Sequence, residues 1–140
     1  MLPMQSIPEI ERILSASTSI AVVGFSPKTN RPSHIVGRYL MDNGFTVYPV
    51  NPGVDEILGH TSYPDLASVP GEVDVVDIFR RSEDVLPVVE AAIAIGAKVV
   101  WMQQGIVNEE AAALARKAGL QVVMDRCIKI DHANMGMGRV

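Results

Sequence analysis

The chain has a single cysteine, Cys127, among 140 residues. This excludes an internal disulfide framework, and no CxxC pair or clustered Cys/His spacing is present that could hold zinc. Positive charge is not in excess either: 12 Lys and Arg against 16 Asp and Glu leave a formal net charge of -4. That balance argues against a general nucleic-acid or anionic-membrane surface, though it permits a local basic pocket. The start, Met1-Leu2-Pro3-Met4-Gln5-Ser6, lacks a basic n-region and a long apolar core. Neither a signal peptide nor a membrane span is expected, and a cytoplasmic location follows. No GxSxG elbow occurs and no histidine neighbours a candidate nucleophile, so no nucleophilic catalysis is expected. What is present is 48% hydrophobic content, enough for one buried core and a single domain spanning residues 1–140.

No linker or internal repeat interrupts an alternation of strand-like and helix-like stretches. Ser6 followed by Glu9 is a capping box before Ile7, Ile10, Ile13 and Leu14, which predicts a short amphipathic helix. Apolar runs at Ile20 to Val23, Thr46 to Val50, Val73 to Phe79, Lys98 to Met102 and Gln121 to Met124 read as five strands. Between them, Ile35, Val36, Tyr39 and Leu40 recur at helical spacing; Ser82-Glu83-Asp84 and Asn108-Glu109-Glu110 open two more helices. Pro87 fits the first of these only if its first turn begins late. Residues 51–73 form a long, turn-rich connection with one helical turn near Asp65-Leu66-Ala67. The pattern predicts a Rossmann-like, doubly wound α/β fold: five parallel strands in the order 3-2-1-4-5, with helices on both faces. A ligand then belongs at the carboxyl ends of the strands, where the order reverses.

The stretch from Ser19 to Ser33 has the layout of a phosphate cradle. A buried strand ends at Gly24, and Ser26, Lys28, Arg31, Pro32 and Ser33 lead into a helix start, whose free N–H groups and positive dipole end favour an anion. The dinucleotide fingerprint GxGxxG is missing, and the second strand ends in Asn51-Pro52 instead of the acid that would hold an NAD ribose. NAD is therefore disfavoured. Lys28 and Arg31 suit a ligand with more phosphate, the alternative being two solvated loop cations. His34 either touches phosphate or lies on an ordinary helix face. His60 sits in a polar turn, and His132 is either oriented by Asp131 or part of an exposed pair.

Six segments at the strand exits, Ile20 to Ser26, Arg31-Pro32-Ser33, Tyr48 to Pro52, Val75 to Arg80, Val100 to Gln103 and Asp125-Arg126-Cys127, carry a family resemblance. In this order the chain resembles the small stand-alone CoA-binding proteins, which are similar to the N-terminal CoA-binding domain of the succinyl-CoA synthetase alpha subunit. The resemblance implies a Rossmann-like domain that binds coenzyme A or an acyl-CoA, with phosphates near the first turn, adenosine near the second and third strand ends, and no established reaction. It makes Gly24, Phe25, Ser26, Lys28, Arg31, Pro32, Ser33, Asn51, Pro52, Phe79, Arg80, Gln103, Gly105 and Cys127 the candidate binding residues. Phe79 and Pro52 would flank the adenine, whereas Trp101 is a core aromatic or an adenine platform. Arg80 meets a phosphate or ribose, or pairs with Asp77 or Asp125; Arg126 is open to pairing with Asp125. Gln103 and Gly105 serve the pantetheine arm or form a polar turn. Cys127 is a small buried hydrophobe or the site of a mixed disulfide with CoA. Three function classes remain: a non-catalytic binding, carrier or regulatory module; a trans-acting subunit of an acyl-CoA synthetase or acyltransferase; and an NAD(P)-dependent oxidoreductase, which the loop disfavours. A second copy of the chain or an acyl-CoA enzyme is the protein partner left open.

Overall fold

A computed structural model describes residues 5–135; residues 1–4, read above for a leader signature, lie outside them. The capping box forms: the Ser6 hydroxyl accepts from the Glu9 N–H at 3.3 Å and opens α1 (Ile7–Ala16), which buries Ile10, Ile13 and Leu14. Next come β1 (Ser19–Val23), α2 (Pro32–Asp42) and β2 (Thr46–Val50). The connection after β2 contains a hairpin that the turn-rich composition had concealed, β3 (Glu56–Ile57) and β4 (His60–Thr61), paired antiparallel around Leu58 and Gly59. Both turn residues have positive φ, as a tight two-residue hairpin demands. The expected helical turn is a 3-10 turn at Leu66–Ser68, capped by Asp65.

β5 (Val75–Ile78) leads through a 3-10 turn at Ser82–Asp84 into α3 (Val85–Ala94). The late start places Pro87 in the first helical turn, where no intrahelical N–H bond is lost. β6 (Val99–Met102), α4 (Glu109–Lys117) and β7 (Gln121–Val123) follow. Asn108 caps α4 by accepting from the Ala111 N–H at 2.9 Å. A last helix, α5 (Ile128–Met135), stands where only a tail had been anticipated; its apolar residues Ile128, Ile130, Ala133 and Met135 are spread around the helix and give no periodic signal.

The main sheet runs β2-β1-β5-β6-β7, and all four pairings are parallel. Helices cover both faces. Val85, Val89 and Ala92 of α3 and Ala111, Ala112 and Ala115 of α4 pack on one face with Ala21, Val76 and Val100. On the other, α1, α2 and α5 pack on Ile20, Val22, Val75 and Trp101. The doubly wound α/β class is as the sequence predicts, but the place of the third long strand differs. Counting only the strands of this sheet along the chain, the order is 2-1-3-4-5, so Val75–Ile78 lies against β1 rather than outside β2. The reason lies in Pro49. Its carbonyl accepts from the Tyr63 N–H at 2.9 Å on the outer side of β2, so its hydrogen-less nitrogen faces that edge, where a further strand would lose a ladder bond. The order still reverses beside β1, between β1 and β5, which leaves the crevice at the exit of the first strand. No helix among the described residues is long and apolar enough to cross a membrane.

Candidate functional site

The site is built around the place where β1 stops. Gly24 has φ +89°, and a Cβ on it would run into the Phe79 carbonyl, so the turn after β1 presses on the turn after β5 at a point only glycine tolerates. The Gly24 N–H donates to the Val50 carbonyl at 2.8 Å. Phe25 then turns inward: its ring is fully buried beneath Gly37 of α2, where any side chain would overlap it. Asn51 reaches across from the end of β2, donating from Nδ2 to the Phe25 carbonyl at 2.9 Å while its Oδ1 accepts from the Gly53 N–H. The Ser26 N–H donates to the Ser33 hydroxyl at 2.9 Å, and the Ser26 hydroxyl accepts from the Lys28 N–H at 3.1 Å. Arg31 stands at the N-cap of α2 without a side-chain cap bond, and Pro32 follows. Pro32 brings no N–H, and the His34 and Ile35 N–H groups donate to the Arg31 carbonyl at 3.0 and 3.1 Å, so the start of this eleven-residue helix offers the Ser33 N–H and its positive dipole end beside the loop.

Above the loop lies a cleft of about 480 Å³. Gly24, Ser26, Lys28, Arg31, Pro32 and Ser33 form one side of it. Phe79, Arg80, Arg81 and Ile106 form the other. Eight of the fourteen residues proposed from sequence thus meet in one space. Arg81 is engaged by Asp84 at 3.1 Å and Glu83 at 3.5 Å. Among the described residues, Lys28, Arg31 and Arg80 have no acidic partner within salt-bridge distance, and no Asp or Glu lines the cleft. Arg80 pairs with neither Asp77 nor Asp125. It also borders a second cavity of about 210 Å³, walled by Val23, Val50, Pro52, Pro64 and Leu66 with Asp65 at one point, which offers a largely apolar slot next to the charged cleft.

Six of the proposed residues lie elsewhere or act indirectly. Phe25 and Asn51 shape the loop from below, and Pro52 belongs to the apolar slot. Gln103 is buried, and its Oε1 accepts from the Ile128 N–H at 3.1 Å, which caps α5. The Gly105 N–H donates to Asp125 Oδ1 at 2.6 Å. Cys127 is half-buried and lines a separate cavity of about 190 Å³ with Gln104, Arg126 and Asp131. Arg126 pairs with Asp131 through two 2.8 Å bonds, not with Asp125, and this bonding raises its pKa. His132 is held at Nδ1 by the Tyr39 hydroxyl at 2.7 Å rather than by Asp131. Trp101 is fully buried and donates to the Arg126 carbonyl at 2.8 Å, which makes it a core residue. His34 neither faces solvent nor lines the cleft: it is buried, with Nδ1 at 2.8 Å from the Ser26 carbonyl.

Sequence reasoning missed Arg81, the second half of a visible Arg-Arg pair, and Ile106, which carried no signal. Asp77, named above as one possible partner of Arg80, is instead fully buried in mid-sheet opposite Val22 and Trp101, with no partner among the described residues for either carboxylate oxygen. Burial pushes its pKa well above the usual carboxylate range, because a lone charge in that medium is costly. Among the described residues, no group of three or more His, Cys, Asp or Glu is arranged to hold a metal ion.

The family described as CoA binding domain fits residues 18–133. The chain belongs to this CoA binding domain family. Its relatives include YneT of Bacillus subtilis, 45% identical over 125 residues that span 89% of this chain and 93% of that one. Acetate–CoA ligase [ADP-forming] II of Archaeoglobus fulgidus is 32% identical over 92% of this chain, but the match spans only 20% of the ligase. Among solved structures, a hypothetical protein from Pyrococcus horikoshii OT3 is similar with a TM-score of 0.90 and 40% identity, covering 96% of this chain and 98% of that one. The family thus includes both chains of this size and much larger ligases.

Proposed function

We propose that this chain binds coenzyme A, or an acyl-CoA, at the carboxyl ends of β1 and β5, as a single-domain cytoplasmic module with no reaction of its own. One observation carries the reading: Lys28, Arg31 and Arg80, none with an acidic partner among the described residues, line one cleft above Gly24 at the start of α2 whose described lining holds no Asp or Glu. Unpaired cations beside the positive dipole end of a helix form a site for a polyanion. The diphosphate would lie over Gly24 and the α2 start. Arg80, shared with the apolar slot, is placed to meet the 3′-phosphate of an adenosine held between Pro52 and Leu66. Titration calorimetry against CoA, dephospho-CoA, acetyl-CoA and NAD tests this. CoA should bind most tightly together with its acyl form, dephospho-CoA more weakly and NAD least; equal affinity for NAD at the same cleft would overturn the reading.

A second reading makes the chain the CoA-binding part of an acyl-CoA synthetase or acyltransferase whose other parts lie on a partner. Its support is the Archaeoglobus fulgidus ligase, of which this chain matches one fifth. Affinity purification of the tagged chain from its native cells, with and without CoA, separates the two: a stoichiometric CoA-metabolising partner favours the second.

A further inference from the structure

The Ser26-Pro27 peptide is an unusual component of an anion site. Proline supplies no N–H, so this peptide can present only a carbonyl oxygen, the wrong end of the dipole for a phosphate. It lies in a loop whose Ser26 and Lys28 line the cationic cleft. Something must hold that oxygen away from the ligand. The structure shows what does: His34 Nδ1 lies 2.8 Å from the Ser26 carbonyl oxygen. A carbonyl can only accept, so Nδ1 carries the proton and Nε2 is left with its lone pair. Nε2 is buried and has no partner among the described residues, so an Nε2–H would find none of them to bond.

We infer that His34 is a positioning residue of the anion-binding loop: through Nδ1–H it turns the Ser26 carbonyl away from the cleft, leaving the cations and the helix start to face the ligand. The inference rests on the cleft being an anion site, as proposed above. His34 itself touches no ligand, since it is 3% exposed and absent from the lining of the cleft. Three further contacts fit the same purpose. Ser33, its neighbour on α2, accepts from the Ser26 N–H; Asn51 binds the Phe25 carbonyl; and the Phe25 ring packs edge-on to His34 with centroids 5.7 Å apart. The Phe25 and Ser26 carbonyls are thus both held by side-chain donors. An unbonded Ser26 carbonyl would be free to rotate toward the cleft and repel phosphate.

The test uses His34→Asn, His34→Gln and His34→Leu with two probes, CoA and inorganic pyrophosphate, together with nitrogen-detected NMR of the wild-type imidazole. An Asn amide reaches the position of Nδ1 and restores the donor, whereas a Gln amide extends to that of Nε2 and a Leu has none. The Leu and Gln variants should bind both probes at least ten-fold more weakly, Asn should recover most of the loss, and the wild-type ring should show the Nδ1–H tautomer. Thermal melting confirms that each variant is folded. Equal affinities across the folded variants, failure of Asn to rescue, or an Nε2–H tautomer would overturn the inference. Wild-type binding of pyrophosphate without CoA would sink the CoA reading alone, leaving His34 to be judged on the pyrophosphate series. Binding of neither probe overturns both.

Discussion

Asp77→Asn should stabilise this protein at neutral pH, by an amount that depends on pH in a defined way. Asp77 sits in the central strand β5 with no solvent exposure, both carboxylate oxygens lack a partner, and burial raises its pKa well above the usual range. The folded protein therefore keeps the proton, while the unfolded chain releases it near pH 3.9. A raised folded-state pKa contributes stability that is fully present below the unfolded value and is lost as pH rises toward the folded one. The loss is about 1.4 kcal/mol for each pH unit in that window. Asparagine has nearly the same shape and cannot ionise, so the difference between variant and wild type isolates this group from all other titrations. Relative to its value at pH 4, that difference should grow in favour of Asn as pH rises, by at most about 1.4 kcal/mol for each pH unit. For a domain of this size each such unit corresponds to a Tm gap that widens by roughly 5 °C. Thermal melts of both proteins at half-unit steps from pH 4 to 7 supply the readout. A gap that stays constant across this range, or that moves in favour of Asp, would mean that Asp77 is ionised in the fold and has a counter-charge.

Three further outcomes are expected. Arg31→Ala should weaken CoA binding by about 1.5 to 3 kcal/mol, the range for a charge-assisted bond, with little change in melting temperature; calorimetry showing unchanged affinity would return Arg31 to an ordinary surface cation. Gly24→Ala should cost at least about 2 kcal/mol of stability, since it forces both a positive φ and a clash with the Phe79 carbonyl, and denaturant melts will reveal it. Cys127→Ser should leave CoA affinity within about two-fold, because Cys127 lines a cavity other than the cationic cleft and adds no charge to the phosphate contacts. A larger loss by calorimetry would place the thiol at the ligand.

Local chemistry made much of this protein legible from its sequence. A buried strand ending in glycine, followed by cations, Pro and Ser, is a contiguous signal. The structure brings Gly24, Ser26, Lys28, Arg31, Pro32 and Ser33 together because they are neighbours along one turn. The capping box at Ser6 and the N-cap at Asn108 were readable for the same reason: each cap bond spans three residues. Arg80 and Phe79 line the same cleft because the exit of a central parallel strand faces the crevice.

What tertiary structure decided is a matter of long-range partners. The third strand pairs with β1 instead of the outer edge of β2, where Pro49 would lose a ladder bond and Tyr63 already takes its carbonyl, a signal present in the sequence but meaningful only once the edge strand is known. Gln103 and Gly105 follow β6 as expected, yet their polar groups are taken by Ile128 and Asp125, about 20 to 25 residues on along the chain, so they brace α5 and the last turn. His34 was ambiguous because helical spacing says which face a residue lies on, not which carbonyl lies opposite. Asp77 was one of two acids open to pairing with Arg80, and only the fold, which sets it opposite Val22 and Trp101, shows a fully buried carboxyl with no partner among the described residues. Sequence specifies the elements and the groups at their ends through contacts a few residues long; charge state and hydrogen-bond partnership follow from which ends the folded sheet brings together.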